Sequence, residues 1–388
     1  MREHVAIVSQ DPYPDLRVER EIHTLLKHGF KVTFIGKVKE KPCLVFDRSF
    51  SNFNCVDVEF DWSTYLLLEP GLSRTVKRIK HVLNDVRPEV VVAINPIAGY
   101  VMDKLEVPLV IDDHEYYYML VLSNPIFGTP SMHILRRLRY MLGALRRRWI
   151  YRVRFIEAEL ASKHPMIFTN NNAKQDFAEK TGISENNLFV LKNYPSKLEV
   201  KDIGGFRVSD EVVFGYIGAD LPTQLTIRDL TTTVEVLCKL AKMHSFKVLV
   251  AGINYNYSCF QGVGWLKRRE LYEMLSLVDF GLATWEPHPL HKFFNPNKTY
   301  QYAIVGSVPI VTGTLESVIE DLPREAIIIH GTDKTTFKNA LENVVRDLLA
   351  LDKDERKELR RRVMEHARKV LVWENQEGAL LDSIKKAK

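Results

Sequence analysis

The chain has 388 residues, 46% hydrophobic and 27% charged, with a formal net charge of +5. That is enough for two ordinary domains with cores of their own, and the balance excludes a disordered or collagen-like chain. No run of eighteen apolar residues occurs, which excludes a membrane-spanning helix.

Four well-separated cysteines (Cys43, Cys55, Cys238, Cys259) with no Cys-x-x-Cys argue against a zinc site and suit a reducing compartment. The positive charge is local: residues 136–154 hold eight arginines and no acid, and without them the chain would be acidic. The first residues pass straight into a short strand with no cleavage site, so no secretory signal is expected.

His4–Ser9 predicts a strand, Gln10–Leu16 a loop with two prolines, Arg17–His28 a helix closed by Gly29, and Lys31–Gly36 a second strand. That order opens a parallel doubly wound sheet. Cys43–Phe60 adds one or two strands, where Val56, Val58 and Phe60 alternate with Asp57, Glu59 and Asp61, so that the acids share a face. Leu72–Val86 is a predicted helix ended by Arg87-Pro88, and Val90–Ile94 a buried strand before Asn95-Pro96.

The apolar run Val107–Ile111 then leads into Asp112-Asp113-His114-Glu115. Polar groups just past the carboxyl end of a strand stand where open α/β sheets bind ligands. Three readings compete: caps for the next helix, ligands for a divalent metal, or contacts to a sugar.

Pro130–Ala161 carries a helical repeat through Leu135, Leu138, Leu142, Leu145, Trp149, Val153 and Ile156. Arg136, Arg139, Arg146, Arg147 and Arg154 fall mostly on other faces. Such a basic amphipathic helix suits an anionic membrane surface, an anionic acceptor or plain solvent. No nucleic-acid module is present, and none is expected as a partner. Pro165–Asn170 and Leu188–Leu191 are predicted strands around a helix at Asn172–Lys180. Residues 196–210 are charged, weakly periodic and contain Gly204-Gly205, which marks a linker.

Glu211–Ile217 predicts a strand leading to Gly218, followed by the loop 219–226 and a helix at Ile227–Lys242 with Arg228 in its first turn. Lys247–Ala251 and Asp279–Leu282 are strands flanking a helix at Arg268–Leu277. Phe293–Val311 reads as a helix followed at once by a strand. Asn295 is placed as its N-cap and Pro296 as its first residue, Gly306 stops it, and Val308–Val311 is buried. Lys298 falls in the first turn. A cation there opposes the helix dipole, but outward N–H groups joined by an ammonium suit a phosphate. Glu316–Asp321, Thr335–Ala350 and Lys353–Val370 are further helices around a strand at Ala326–Ile329, and Trp373-Glu374 opens the last helix.

The 293–311 stretch resembles the donor-site motif of retaining glycosyltransferases of the group 1, or family 4, type. There Pro-x-Lys-x-x-Glu-Tyr-x-x-x-Gly precedes Pro-Val-Ile. Pro296, Lys298, Tyr302 and Gly306 match in register, and Pro309 and Ile310 match after one extra residue. Gln301 stands where the family has a ribose-binding glutamate, and Phe293 where it has another acid. Asp112–Glu115 is similar to the family's Asp-x-His-Glu, Asn193-Tyr194-Pro195 to its Asn-x-Pro ending, and Asp11–Val18 with Gly29 to its first unit, without the glycine-rich turn.

The resemblance implies an α/β fold of GT-B type: two Rossmann-like, doubly wound parallel-sheet domains facing across a cleft. Residues 1–197 would form the acceptor side, 198–210 the linker, 211–370 the donor side, and 371–388 a terminal helix crossing back to the first domain. It implies a hexosyltransferase moving a sugar from a nucleotide-diphosphate sugar to a glycan, lipid phosphate or other acceptor, with retention and no metal or other cofactor. His114, Arg228 and Lys298 would be catalytic. Gly218, Glu115, Asn297 and Gln301 would join Arg228 and Lys298 in holding the donor, and Asp15 and Arg17 would face the acceptor. Cations beside the departing diphosphate would stabilise the transition state more than the ground state. The implied location is cytoplasmic, on the inner membrane face if Arg136–Arg154 docks there. Three alternatives stand beside this one: a nucleotide-sugar epimerase on the same scaffold, a metal hydrolase on Asp112–Glu115, and a sugar-nucleotide-binding or membrane-associated protein with a decayed site.

Overall fold

The computed structural model describes residues 3–123, 136–219, 221 and 227–388. Among the described residues two compact units result: 3–122 with 136–192 and 376–388, and 193–375 with residue 123.

The first unit runs β1 (His4–Ser9), α1 (Leu16–Lys27), β2 (Lys31–Gly36), β3 (Phe53–Asp57), α2 (Gly71–Val86), β4 (Val90–Ile94), α3 (Asn95–Asp103), β5 (Leu109–Asp113), α4 (Tyr117–Ser123), α5 (Arg136–Lys163), β6 (Met166–Phe168), α6 (Asn171–Thr181) and β7 (Leu188–Val190). The strands form a parallel sheet in the order β3-β2-β1-β4-β5-β6-β7. The chain order therefore reverses between β1 and β4. Every residue of these two strands is buried, which is why they read as continuous apolar runs and not as an alternation.

The second unit runs β8 (Val212–Ile217), α7 (Thr231–Leu240), β9 (Phe246–Ala251), β10 (Phe260–Gly264), α8 (Arg268–Ser276), β11 (Phe280–Ala283), α9 (Asn297–Ile304), β12 (Val308–Thr312), α10 (Glu316–Ile319), β13 (Ile327–Ile329), α11 (Lys334–Ala350) and α12 (Lys353–Val370). Its parallel sheet has the order β10-β9-β8-β11-β12-β13, with the reversal between β8 and β11. Val200 and Ile203, from the stretch expected to be a linker, are buried in this unit's core. The terminal helix α13 (Gly378–Ala387) packs on β5 and β7 of the first unit. Glu377 pairs there with Lys27 at 2.6 Å, and the Gln376 amide bonds both backbone groups of Lys192.

Each unit is locked by a buried ionic cluster. In the second, Asp279 lies 2.9 Å from both Arg356 and Arg360, and its Oδ2 also accepts from the Val213 amide. Close packing at the reversal is set by Gly281 on β11. A Cβ at this position would stand 2.2 Å from the Tyr302 ring. Gly281→Ala is expected to cost about 1–3 kcal/mol through overpacking, read as a lowered urea midpoint at unchanged m-value. The Tyr302 hydroxyl also accepts from the Ile217 amide at 3.1 Å and donates to the Leu282 carbonyl at 3.2 Å.

Several local expectations are corrected. Asn295 does not cap α9. Its amide is spent in the interior, accepting from the Asn193 amide and donating to the Tyr300 hydroxyl, and Pro296 takes the cap position without a side-chain bond. The acids of 57–61 do not share a face, because β3 ends at Asp57. Asp57 bonds the Val38 amide, while Asp61 caps the turn at Trp62–Leu66 and pairs with Arg74 at 2.6 Å.

The cysteines are not free. Cys43 is joined to Cys55 and Cys238 to Cys259, with Cα separations of 6.3 and 5.3 Å. Spacings of 12 and 21 residues cover one loop-and-strand or helix-and-strand repeat, which parallel topology folds back on itself. This pairing removes the compositional ground for a reducing compartment. The arginine face expected at Arg136, Arg139, Arg146 and Arg147 lies outside the residues whose side chains are described. No described helix is long and apolar enough to cross a membrane.

Candidate functional site

Each unit gathers polar residues at its own sheet reversal, the position where open α/β sheets bind ligands. In the first, α1 begins at the end of the β1 loop, and Asp15 caps it by accepting from the Arg17 and Val18 amides. Arg17 then points inward. Its guanidinium grips Asp112 through Nε at 2.8 Å and Nη2 at 2.7 Å, and Nη1 donates to the Leu191 carbonyl. His114 Nε2 stands 3.0 Å from Asp112 and 3.8 Å from Glu21. Asn95, the first residue of α3, holds a left-handed φ of 67°. Its side chain accepts from the His114 amide and donates to Asp11, which is exposed. A strained non-glycine backbone at a sheet reversal is the kind of outlier that accompanies binding sites.

The electrostatics follow from burial. Arg17 and His114 draw Asp112 well below the ordinary carboxylate value despite its burial. Glu21, buried beside the Asp112 charge, is pushed up to about 8. His114 overcomes burial through the Asp112 carboxylate and rises to about 10. At neutral pH the set is an ionised Asp112 between two cations, with Glu21 carrying its proton.

The Asp112–Glu115 run does not act as one cluster. Strand alternation turns Asp113 to the other side, where it accepts from the Tyr117 amide and caps α4, and burial raises it to about 7. Glu115 is half-buried. Glu21, Asp112 and His114 are close enough to hold a metal ion, with ligand atoms within 4.8 Å. Arg17 already covers both Asp112 oxygens, however, and would face such an ion as a like charge.

The two residues expected to face an acceptor, Asp15 and Arg17, are both engaged within the first unit. One is a helix cap and the other a buried structural cation, because α1 enters the core at its first turn.

In the second unit, Lys298 in the first turn of α9 lies over the Tyr216 ring at 4.0 Å and 5.2 Å from the Trp285 ring centroid. It makes no ion pair or hydrogen bond among the described residues. Burial and the charge of Arg228 hold it well below the ordinary lysine value. The exposed Arg228 guanidinium lies 5.7 Å from the same Trp285 ring. Trp285 is buried, and its Nε1 finds no partner among the described residues. Gly218 at the end of β8 admits the Tyr216 ring, which a Cβ would meet at 2.5 Å. Asn297 opens α9 and is half-buried.

Arg228 is not in a helix. α7 begins at Thr231, and carboxylates occupy its amino end: Asp229 accepts from the Thr231 amide, and Glu286 from the Thr232 amide and hydroxyl. The α7 terminus is therefore satisfied from within, and the uncapped terminus of the pair is that of α9. Gln301 is buried, with its Nε2 3.5 Å from the Tyr272 hydroxyl. Phe293 is buried as well. The loop 219–226 is, apart from Ala219 and Leu221, outside the described residues.

Sequence reasoning passed over Glu21, Asn95, Tyr216, Trp285 and Glu286. Asn95 had a signal, a polar residue directly after the buried Val90–Ile94 run. The others are ordinary-looking residues whose role arises only from folding.

No family model and no curated protein matches the chain. Solved structures do. Sucrose-phosphate synthase from Thermosynechococcus elongatus superposes with a TM-score of 0.66 at 12% identity, covering 100% of both chains. HepE from Anabaena, solved in complex with UDP and glucose, gives 0.60 at 8% identity, covering 99% of this chain and 100% of that one. A protein from Listeria monocytogenes described as a putative UDP-N-acetylglucosamine 2-epimerase gives 0.57 at 11% identity, covering 100% of this chain and 96% of that one. At such identities the likeness is one of fold, and the fold is the α/β architecture with two parallel sheets that these proteins share.

Proposed function

We propose that the chain is a glycosyltransferase that takes a nucleotide-diphosphate sugar as donor, retains the anomeric configuration and uses its own cations in place of a metal. The observation that carries this is Lys298. A half-buried ammonium at an uncapped helix start, beside Arg228 and without an anionic partner among the described residues, is costly unless an anion completes it. A diphosphate supplies that anion.

When the bond from the anomeric carbon to the diphosphate oxygen breaks, its electron pair stays on the leaving group, where Lys298 and Arg228 oppose the growing charge. An acceptor hydroxyl then bonds to the anomeric carbon on the same face and passes its proton to the departing phosphate. In the first unit, Asp11, Asn95 and His114 offer acceptors and donors of the kind that sugar hydroxyls take. Gly218 and Asn297 are assigned to the donor and Glu115 to the sugar. The acceptor class proposed is a glycan or lipid phosphate.

A second reading, a nucleotide-sugar epimerase, is favoured by the likeness to the Listeria protein. A thermal-shift panel of nucleoside diphosphates and their sugars tests the first reading, with stabilisation by at least one of them expected at millimolar concentration. No stabilisation by any would reject it. Incubation with donor alone then separates the readings, since an epimer forms without acceptor and a transfer product does not.

A further inference from the structure

We propose that His291 is a positioning residue: it holds the backbone at Ile227–Arg228 so that the Arg228 guanidinium stays beside Lys298. This rests on the donor reading above. His291 belongs to the short 3-10 turn Pro289–Phe293 and is fully buried. Both ring nitrogens are engaged. Nε2 lies 2.6 Å from the Ile227 carbonyl and Nδ1 2.7 Å from the Thr314 hydroxyl.

Chemistry fixes the proton. A carbonyl only accepts, so Nε2 must carry the hydrogen, and Nδ1 must then accept from Thr314. The ring is neutral in this state, and burial keeps it so by lowering it to about 4. With no free nitrogen, His291 cannot serve as an acid or base. What it does is join three segments that are distant in sequence: its own turn, the residue after β12 and Gly313, and the residue immediately before Arg228.

The second anchor makes the purpose specific. The Asp229 carbonyl accepts from the Glu286 amide at 2.8 Å. Arg228 is thus flanked by two carbonyls, each pinned to the segment that also carries Trp285. The His291 ring itself lies 5.7 Å from the Trp285 ring, the surface over which both cations sit. Loss of the Nε2 donor would free the Ile227 peptide and let Arg228 drift, while leaving Lys298 and Trp285 in place.

Inorganic pyrophosphate is the probe, because it tests the cation pair without regard to base or sugar. Titration calorimetry is run on the full chain as wild type, His291→Phe, His291→Gln, Arg228→Ala and the His291→Phe/Arg228→Ala pair. His291→Phe is expected to weaken pyrophosphate about tenfold, the equivalent of one charge-assisted contact. His291→Gln, whose amide reaches as far as Nε2, should recover most of that loss. In the Arg228→Ala background His291→Phe should have no further effect, a coupling that a merely structural histidine would not produce. Should His291→Phe fail to fold, Thr314→Val, which removes only the hydroxyl that fixes the tautomer, replaces it with the same expected coupling. Wild-type binding with an unchanged variant, or equal weakening in both backgrounds, overturns the inference alone. A wild-type protein that binds neither pyrophosphate nor any nucleoside diphosphate overturns the donor reading and the inference with it.

Discussion

Asp112→Ala is expected to destabilise the protein by about 3–5 kcal/mol, the cost of leaving buried charges without their counterion. Arg17 and His114 both depend on that carboxylate, and neither side chain reaches water easily. The same cluster gives a pH dependence of defined sign. His114 has its folded value raised from 6.5 to about 10, so its contribution is complete below pH 6.5 and is lost as pH rises through about 10. Glu21 acts in the same sense, its contribution fading as pH rises from 4.5 through about 8. Asp112 works in the opposite direction and loses its contribution only in acid. His114 and Glu21 should therefore lower the urea midpoint as pH rises from neutral toward 10, against the opposite trend from the depressed Lys298, and Asp112→Asn should remove their share of the slope. An equal pH dependence of the midpoint in wild type and Asp112→Asn from pH 6 to 10 would contradict the proton assignment.

Lys298→Met is expected to do two opposite things. Without ligand the variant should be more stable than wild type, since folding opposes the charged form of the lysine and methionine fills the same space without that penalty. With nucleoside diphosphate the order should reverse. A ligand at one hundred times its dissociation constant adds about 2.7 kcal/mol to the wild type, and the variant should gain almost none of this. The depressed lysine also predicts that wild-type affinity for the diphosphate falls as pH rises, because the ammonium that meets the anion becomes scarcer. Stabilisation of Lys298→Met by the ligand equal to that of wild type would remove this residue from the site.

Much of this arrangement could be read in advance, for a physical reason. Strands buried on both faces need unbroken apolar runs, so Val90–Ile94 and Val308–Val311 announced themselves, and with them the parallel architecture. Lys298 was visible because a cation in a first helical turn breaks a local rule. What could not be read depends on partners brought from afar. Arg17 looked like a helix-start residue until Asp112, 95 residues away, turned it inward. Arg228 was placed in a helix because nothing local revealed that Glu286, 54 residues beyond Thr232, would occupy the amino end of α7. Asn295 looked like a cap because its competing partners, Asn193 and Tyr300, are not adjacent to it in the motif. The cysteines misled because separation along the chain says little about distance across a repeated strand–helix unit.

The Tyr302 hydroxyl has one more consequence. β8 and β11 pair directly only at Phe214–Phe280 and Gly215–Gly281. Beyond that point no further backbone pairing of the two strands occurs among the described residues, and the Tyr302 phenolic oxygen bridges Ile217 and Leu282. The aperture at the mouth of this sheet is therefore gauged by a helix residue, as a spacer sets the gap of a hinge.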